Sequence, residues 1–167
     1  ARKTSGNRFA LLLGDYAVPT NTMLSRMIEI SDMHDGASVI AVAPCAWNDV
    51  SRYGIINGSK IGSFGELANN AGCSKCGCGN RDNEAIYTDI ADDEAGDYKI
   101  GDILELSTMV EKPDRENAPT NLYVVGRYIL SPLVMDLLAD QEPGAGGEIQ
   151  LTDAMLRSLA NEKMYAL

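Results

Sequence analysis

A chain of 167 residues, 45% of them hydrophobic, is one domain's worth of globular protein and long enough to bury a core. Its formal net charge of -10 disfavours DNA or RNA as a partner, although a divalent metal can still bridge carboxylates to a nucleotide's phosphates. No apolar run reaches membrane-spanning length and no basic-then-apolar leader stands out, so the expectation is a cytoplasmic protein that does not bind a membrane.

In chain order, Arg8-Phe9-Ala10-Leu11-Leu12-Leu13, closing on Gly14-Asp15, reads as a strand buried on both faces of a parallel sheet. From Thr20 to Met33, Met23, Met27 and Ile30 recur at helical spacing with Leu24 and Ile28 beside them. Thr20 or Asn21 can cap this helix and Asp35-Gly36 ends it. Ala37 to Ala43 is a second buried strand, and the strand–helix–strand order predicts a right-handed crossover. Tyr53 to Ile56 is a short strand, and the Asn57-Gly58 that follows is a hairpin-turn signal.

Residues 59–102, rich in Gly, Asn, Asp and Cys, read as an irregular surface excursion with strand character only at Ala85 to Ile90. Ile103 to Leu106 and Thr108 to Lys112 are two further strands, and Asn121 to Leu130 is a longer one. Pro132 suits the first position of a short helix through Ala139. Glu148 to Ala160 predicts an amphipathic helix that buries Ile149, Ala154, Met155, Leu156 and Leu159. The chain starts at Ala1, and Tyr165-Ala166-Leu167 resembles the opening of another strand. We therefore expect a piece of a longer protein, one partial domain over 1–167.

Four motifs carry chemistry. Asp15 follows the first strand directly, where ligands gather in open α/β sheets, and its carboxylate suits Mg²⁺; the alternative is a turn or capping residue. Glu111-Lys112-Pro113 ends another strand. Glu⁻ only accepts hydrogen bonds and so suits sugar hydroxyls, Lys is a point charge for a phosphate, and Pro113 stops the ladder; the alternative is a surface ion pair. The glycines of Pro143 to Glu148 let backbone N–H groups approach a ligand. Glu148, placed in a first helical turn, favours a neutral sugar contact there over a phosphate, and a plain connecting loop is the other reading. Cys73-x-x-Cys76-x-Cys78 is part of a zinc site if Cys45 or His34 completes it, and otherwise a loop of thiols or a redox pair.

Taken in order, these residues resemble the bacterial UTP–glucose-1-phosphate uridylyltransferases. The similarity runs through Val110-Glu111-Lys112-Pro113, Ala118-Pro119-Thr120-Asn121-Leu122, Gly126-Arg127-Tyr128 and Gly144 to Ala154. It extends to Phe9-Ala10-Leu11-Leu12-Leu13-Gly14-Asp15 and Asp49-Val50-Ser51-Arg52-Tyr53-Gly54. The resemblance implies a Rossmann-like nucleotidyltransferase α/β fold (GT-A-like) with a mixed, mostly parallel sheet, incomplete at both ends. It implies attack of a glucose-1-phosphate oxygen on the α-phosphorus of UTP, with UDP-glucose and pyrophosphate as products and Mg²⁺ as cofactor.

By the same resemblance Asp15 holds the metal, Tyr53 and Gly54 line the sugar pocket, and Glu111 takes glucose hydroxyls. Lys112 takes the sugar phosphate, Val125 and Gly126 pass beneath the sugar, and the full-length protein is a homo-oligomer. Asp15 and Lys112 are the expected catalytic residues. Arg127, Glu148 and Asp153 receive no ligand. The family's Gly-x-Gly-Thr-Arg triphosphate loop is missing from these residues, so the isolated chain is expected to be inactive; position 16, often acidic in the family, is Tyr. Two alternatives stand beside this reading: a non-catalytic sugar-nucleotide binding or regulatory homologue, and a sister enzyme that uses dTTP or ATP.

Overall fold

Alternating apolar residues on the central strands build two hydrophobic layers, one on each face of a mixed sheet. The computed structural model describes residues 8–14, 22–64, 98–99, 101–144 and 147–167. On the strand β2 (Ser38–Pro44), Val39, Ala41 and Ala43 pack against Met27 and Ile30 of the helix α1 (Thr22–Met33), while Ile40 faces the other way. That opposite layer holds Val134 of α2 (Pro132–Ala139) and Ala154 and Met155 of α3 (Leu151–Ser158). The period of two along the strand thus sends alternate side chains into two helical layers. None of the described helices is long and apolar enough to cross a membrane.

Among the described residues the sheet has six strands. The remaining five are β1 (Phe9–Leu12), β3 (Gly54–Ser63), β4 (Asp102–Glu111), β5 (Leu122–Leu130) and β6 (Met164–Ala166), and the order is β1-β5-β2-β6-β4-β3. Only β2 and β6 pair in parallel; every other pairing is antiparallel. The expected mostly parallel sheet is therefore overturned. β1 and β2 do run the same way, with α1 between them in sequence, but β5 lies between them and pairs antiparallel with both. An apolar run reports burial and carries no information on strand direction. β1 is half-buried rather than buried on both faces, with Leu12 exposed.

Two local expectations are also corrected. Asn57-Gly58 does not turn the chain. β3 runs straight through it, and β4 is one strand where two were expected. The register passes from Asn57↔Thr108 to Gly58↔Leu106, so Ser107 of β4 is an extra, bulged residue. Gly58 is required there: a Cβ would lie 2.5 Å from the Glu105 carbonyl oxygen. A bulge reverses which face the following residues point to. Leu104 and Leu106 lie in the α2/α3 layer, and beyond the bulge Met109 lies there too, an odd number of residues on. Glu111, two residues later, shares that face. The irregular excursion accordingly loses residues 59–63 to β3; residues 65–97, with Ala85 to Ile90, lie outside the described residues. α3 begins at Leu151 rather than Glu148, which leaves Ile149 exposed, and Ile28 and Leu156 are exposed as well.

Candidate functional site

The end of β4 meets the start of β3. Glu111 is the register partner of Gly54, and the backbone N–H of Lys112 donates to the Tyr53 carbonyl oxygen at 2.9 Å. Four of the expected residues are thereby gathered in one place. Lys112 has φ of 46°, a left-handed conformation that turns the chain out of the ladder just before Pro113. Its Nζ lies 3.8 Å from Glu111 Oε1, and the two side chains differ sharply in exposure, 53% for Lys112 and 15% for Glu111. A sheltered acceptor beside an exposed cation can hold a ligand that carries hydroxyls at one end and an anion at the other.

Tyr53 is set by the 3-10 turn Val50–Arg52, and its ring tilts onto Tyr123 of β5 with centroids 4.5 Å apart. The Arg52 guanidinium lies over the Tyr53 ring, 5.7 Å from its centroid. The segment after Lys112 is tied to the same region: Arg115 donates to Asn48 Oδ1 at 3.0 Å and Asn121 Nδ2 to the Cys45 carbonyl at 2.8 Å.

Sequence reasoning assigned no role to Thr152. Its Oγ1 donates to Glu111 Oε2 at 2.6 Å from the first turn of α3. The signal was a Thr two residues past the N-cap Gln150, which makes no side-chain cap bond. Nothing in the sequence said that the helix would start there, or what its first turn would face.

Val125 and Gly126 lie elsewhere on β5. Val125 is 3% exposed and packs with Met27, Ile30 and Val39. Gly126 has φ of 68° and lies in an irregularity of the β2–β5 register. There its carbonyl accepts from Leu13 N at 3.0 Å, and a Cβ would come within 3.2 Å of the Leu13 side chain. Arg127 Nη1 donates to the Leu13 carbonyl at 2.7 Å. β5 touches β3 at Ile55↔Tyr123, three residues before Gly126 and so roughly 10 Å along the strand. Asp15, expected to hold the metal, lies outside the described residues two positions past Leu13. Among the described residues no group of three or more His, Cys, Asp and Glu could hold a metal ion.

The glycine loop, of which Ala145 and Gly146 lie outside the described residues, closes on itself. Gly144 N donates to the Glu148 carbonyl at 2.9 Å and Gly147 N to the Gly144 carbonyl at 3.0 Å. Those two N–H groups are committed within the loop, so they are not the expected open donors. A Cβ on Gly144 would stand 2.8 Å from Asp153 Oδ2, so Asp153 is a packing partner of the loop. Glu148 is exposed and precedes α3.

Cys73, Cys76 and Cys78 lie outside the described residues. The two candidates for completing their zinc site stand at opposite ends of β2, Cys45 buried beyond one end and His34 before the other, so roughly 20 Å of strand keeps them from sharing a metal. The His34 ring stacks on Tyr165 with centroids 4.0 Å apart, beside a cavity of about 450 Å³ that Glu162, Lys163 and Ser131 also line. That cavity is at the end of the sheet remote from Glu111.

No protein-family model matches the chain. It is 32% identical over 167 residues to a UTP–glucose-1-phosphate uridylyltransferase of Staphylococcus epidermidis, a match that covers 99% of this chain and 45% of the relative. It is 54% identical over 63 residues, 38% of this chain and 23% of the relative, to a UTP–glucose-1-phosphate uridylyltransferase of Pseudomonas aeruginosa. A crystal structure of UDP-glucose pyrophosphorylase complexed with UDP-glucose superposes with a TM-score of 0.66 at 27% identity, over 97% of this chain and 48% of that one. The α/β fold with its mixed sheet is that of the nucleotidyltransferases. The chain spans about half the length of the relatives it matches end to end, and along nearly all of its own length it is homologous to the UTP–glucose-1-phosphate uridylyltransferases.

Proposed function

We propose that the protein to which these residues belong transfers a uridylyl group from UTP to glucose-1-phosphate, and that this chain carries the sugar-phosphate side of the site. The observation that carries the reading is the Gly54–Glu111–Lys112 cluster: a sheltered carboxylate, an exposed ammonium and a bare glycine at the meeting of two strands. In this reading Glu111 accepts hydrogen bonds from glucose hydroxyls through Oε1. Lys112 neutralises the sugar phosphate whose oxygen attacks the α-phosphorus. Tyr53 walls the pocket, and the Val125–Gly126 backbone passes beneath the sugar. The reaction needs no protein nucleophile; the chain contributes orientation and charge.

Magnesium, when bound, supplies charge neutralisation at the triphosphate, and Asp15 is the residue of this chain we assign to hold it, since a hard cation takes carboxylate oxygen. What supports that assignment is the pinning of Leu13 by Gly126 and Arg127, which fixes the strand end from which Asp15 follows. A homo-oligomer belongs to the same reading, and light scattering on the full-length protein tests it.

Pyrophosphate release measured on the full-length protein with glucose-1-phosphate and each of UTP, dTTP and ATP tests the function. Preference for UTP with UDP-glucose as product is expected. Preference for dTTP or ATP would make it a sister enzyme, and no release with any of them would leave a binding protein. Lys112→Ala should raise KM for glucose-1-phosphate by about tenfold or more, the order of one lost charge-assisted contact. The 167-residue chain alone should show no turnover.

A further inference from the structure

Gly54 lacks a side chain, and the sugar reading assigns the space to the glucose ring. The contacts point to a second use. A Cβ at Gly54 would lie 3.0 Å from Thr152 Oγ1 and 3.1 Å from Glu111 Oε2, the two atoms joined by the 2.6 Å hydrogen bond. The bond therefore runs directly over the bare Gly54 backbone. An ionised carboxylate can only accept, so the hydroxyl must donate its single proton to Glu111. Thr152 is 8% exposed and its χ1 is stiff, so the donor has little freedom to turn elsewhere. The two oxygens of Glu111 are thus divided. Oε2 is held by Thr152, and Oε1 remains on the side of Lys112, 3.8 Å from its ammonium.

We propose that Thr152 is a positioning residue for sugar recognition, holding the Glu111 carboxylate in one rotamer over Gly54 so that Oε1 alone meets the substrate hydroxyls. This rests on the uridylyltransferase reading above and assigns it a further residue. Held in this way, Glu111 has a single oxygen with fixed lone-pair directions to offer, which discriminates the placement of a hydroxyl better than a freely rotating carboxylate. Thr152 itself touches no substrate; it acts through Glu111.

The test is steady-state kinetics of the full-length protein with Thr152→Val, which keeps shape and removes the donor, and Thr152→Ser, which restores it. Thr152→Val should raise KM for glucose-1-phosphate about tenfold with KM for UTP within about twofold of wild type, and Thr152→Ser should return both to within about twofold. In a Glu111→Ala background, which leaves Thr152 no acceptor at this position, the same Thr152→Val change should add less than about twofold, because the residue acts through that carboxylate. Unchanged KM in Thr152→Val, no rescue by Ser, or an undiminished effect beside Glu111→Ala would each overturn the proposal. If Thr152→Val fails to fold, Thr152→Ala replaces it. It removes the same donor and should give the same rise confined to the sugar phosphate, and wild-type KM there would sink the idea. Wild-type protein inactive on UTP and glucose-1-phosphate would instead defeat the functional reading, and the role of Thr152 with it. An active wild type with an indifferent Thr152→Val defeats the positioning role alone.

Discussion

Lys112 is one of two described non-glycine residues with positive φ, the other being Asp35 in the turn after α1. Asp tolerates that region through local hydrogen bonding, whereas Lys gains nothing locally. Strain retained at a residue assigned to a phosphate is what a functional position shows when its side chain is needed. Lys112→Gly should separate the two demands. Relief of a left-handed conformation, about 1–2 kcal/mol, outweighs the added freedom of glycine in the unfolded chain, about 0.4–1 kcal/mol, so denaturant unfolding should show equal or slightly higher stability. KM for glucose-1-phosphate should rise as in Lys112→Ala. A loss of more than about 1 kcal/mol in stability would show that the turn needs lysine packing and that the strain argument is wrong. At this scale the sequence was informative about identity and silent about conformation. Glu111 and Lys112 could be singled out by type, but the φ of Lys112 and the partner of Glu111 are set by strands and a helix far away in the chain.

Between β3 and β4, one bulged residue decides which way Glu111 points. With Ser107 counted in, Leu106, Met109 and Glu111 all face the layer of α3, where Thr152 waits. Deleting Ser107 should remove the bulge and leave Leu106, Met109 and Glu111 at every second position, all still on this face, so sugar-phosphate use should survive. Inserting one residue beside Ser107 should instead put Met109 and Glu111 out of step and drive them to the opposite face. The expected outcome of the insertion is a loss of several kcal/mol in stability from exposing a methionine, together with loss of sugar-phosphate use. Denaturant titration and the pyrophosphate assay read both. A deletion that abolishes sugar-phosphate use, or an insertion of wild-type stability and activity, would mean that Ser107 is not what aims Glu111. The bulge also explains why Asn57-Gly58 misled. Asn-Gly favours tight turns because of what its backbone can do, yet here Gly58 is needed for what it lacks, a Cβ where the Glu105 carbonyl approaches. A short-range motif cannot reveal a close approach across a strand pair.

For the whole molecule, the last residues matter most. β6 lies between β2 and β4 and joins the two sides of the sheet, with Tyr165 opposite Glu105. Lys163 Nζ, just before it, is 2.9 Å from Glu105 Oε2. Burial pushes the Tyr165 hydroxyl above its ordinary value of 10.0, and the Glu105 charge adds to this. The hydrogen bond to Glu105, followed by its charge, raises Lys163 above 10.5. Both groups are raised on folding, so both contribute stability that is full below their unfolded values and is lost as pH climbs through the folded ones. Stability should therefore hold from neutral pH to about 10 and fall above it, and Glu105→Gln should soften that fall. Unfolding midpoints between pH 8 and 11.5 measure this; a Glu105→Gln curve parallel to wild type would contradict the coupling.

The sequence alone determined where most elements lie and which proteins the chain is related to. Apolar runs and periodicities located β1, α1, β2, β5 and α2 to within a residue or two, because burial and local propensity are written in neighbouring side chains. The long match from Thr108 to Asp153 identified the kinship with the uridylyltransferases, because those residue types recur in a fixed order. Only the tertiary structure decided the rest. It put β5 antiparallel between β1 and β2, β6 at the centre of the sheet, the face of Glu111 under the control of Ser107 and Gly58, and Thr152 over Gly54. Each of these depends on contacts between segments distant in the chain. The free energy that settles them, hydrogen-bond register and close packing of backbones, belongs to pairs of segments and is not legible in either one read by itself.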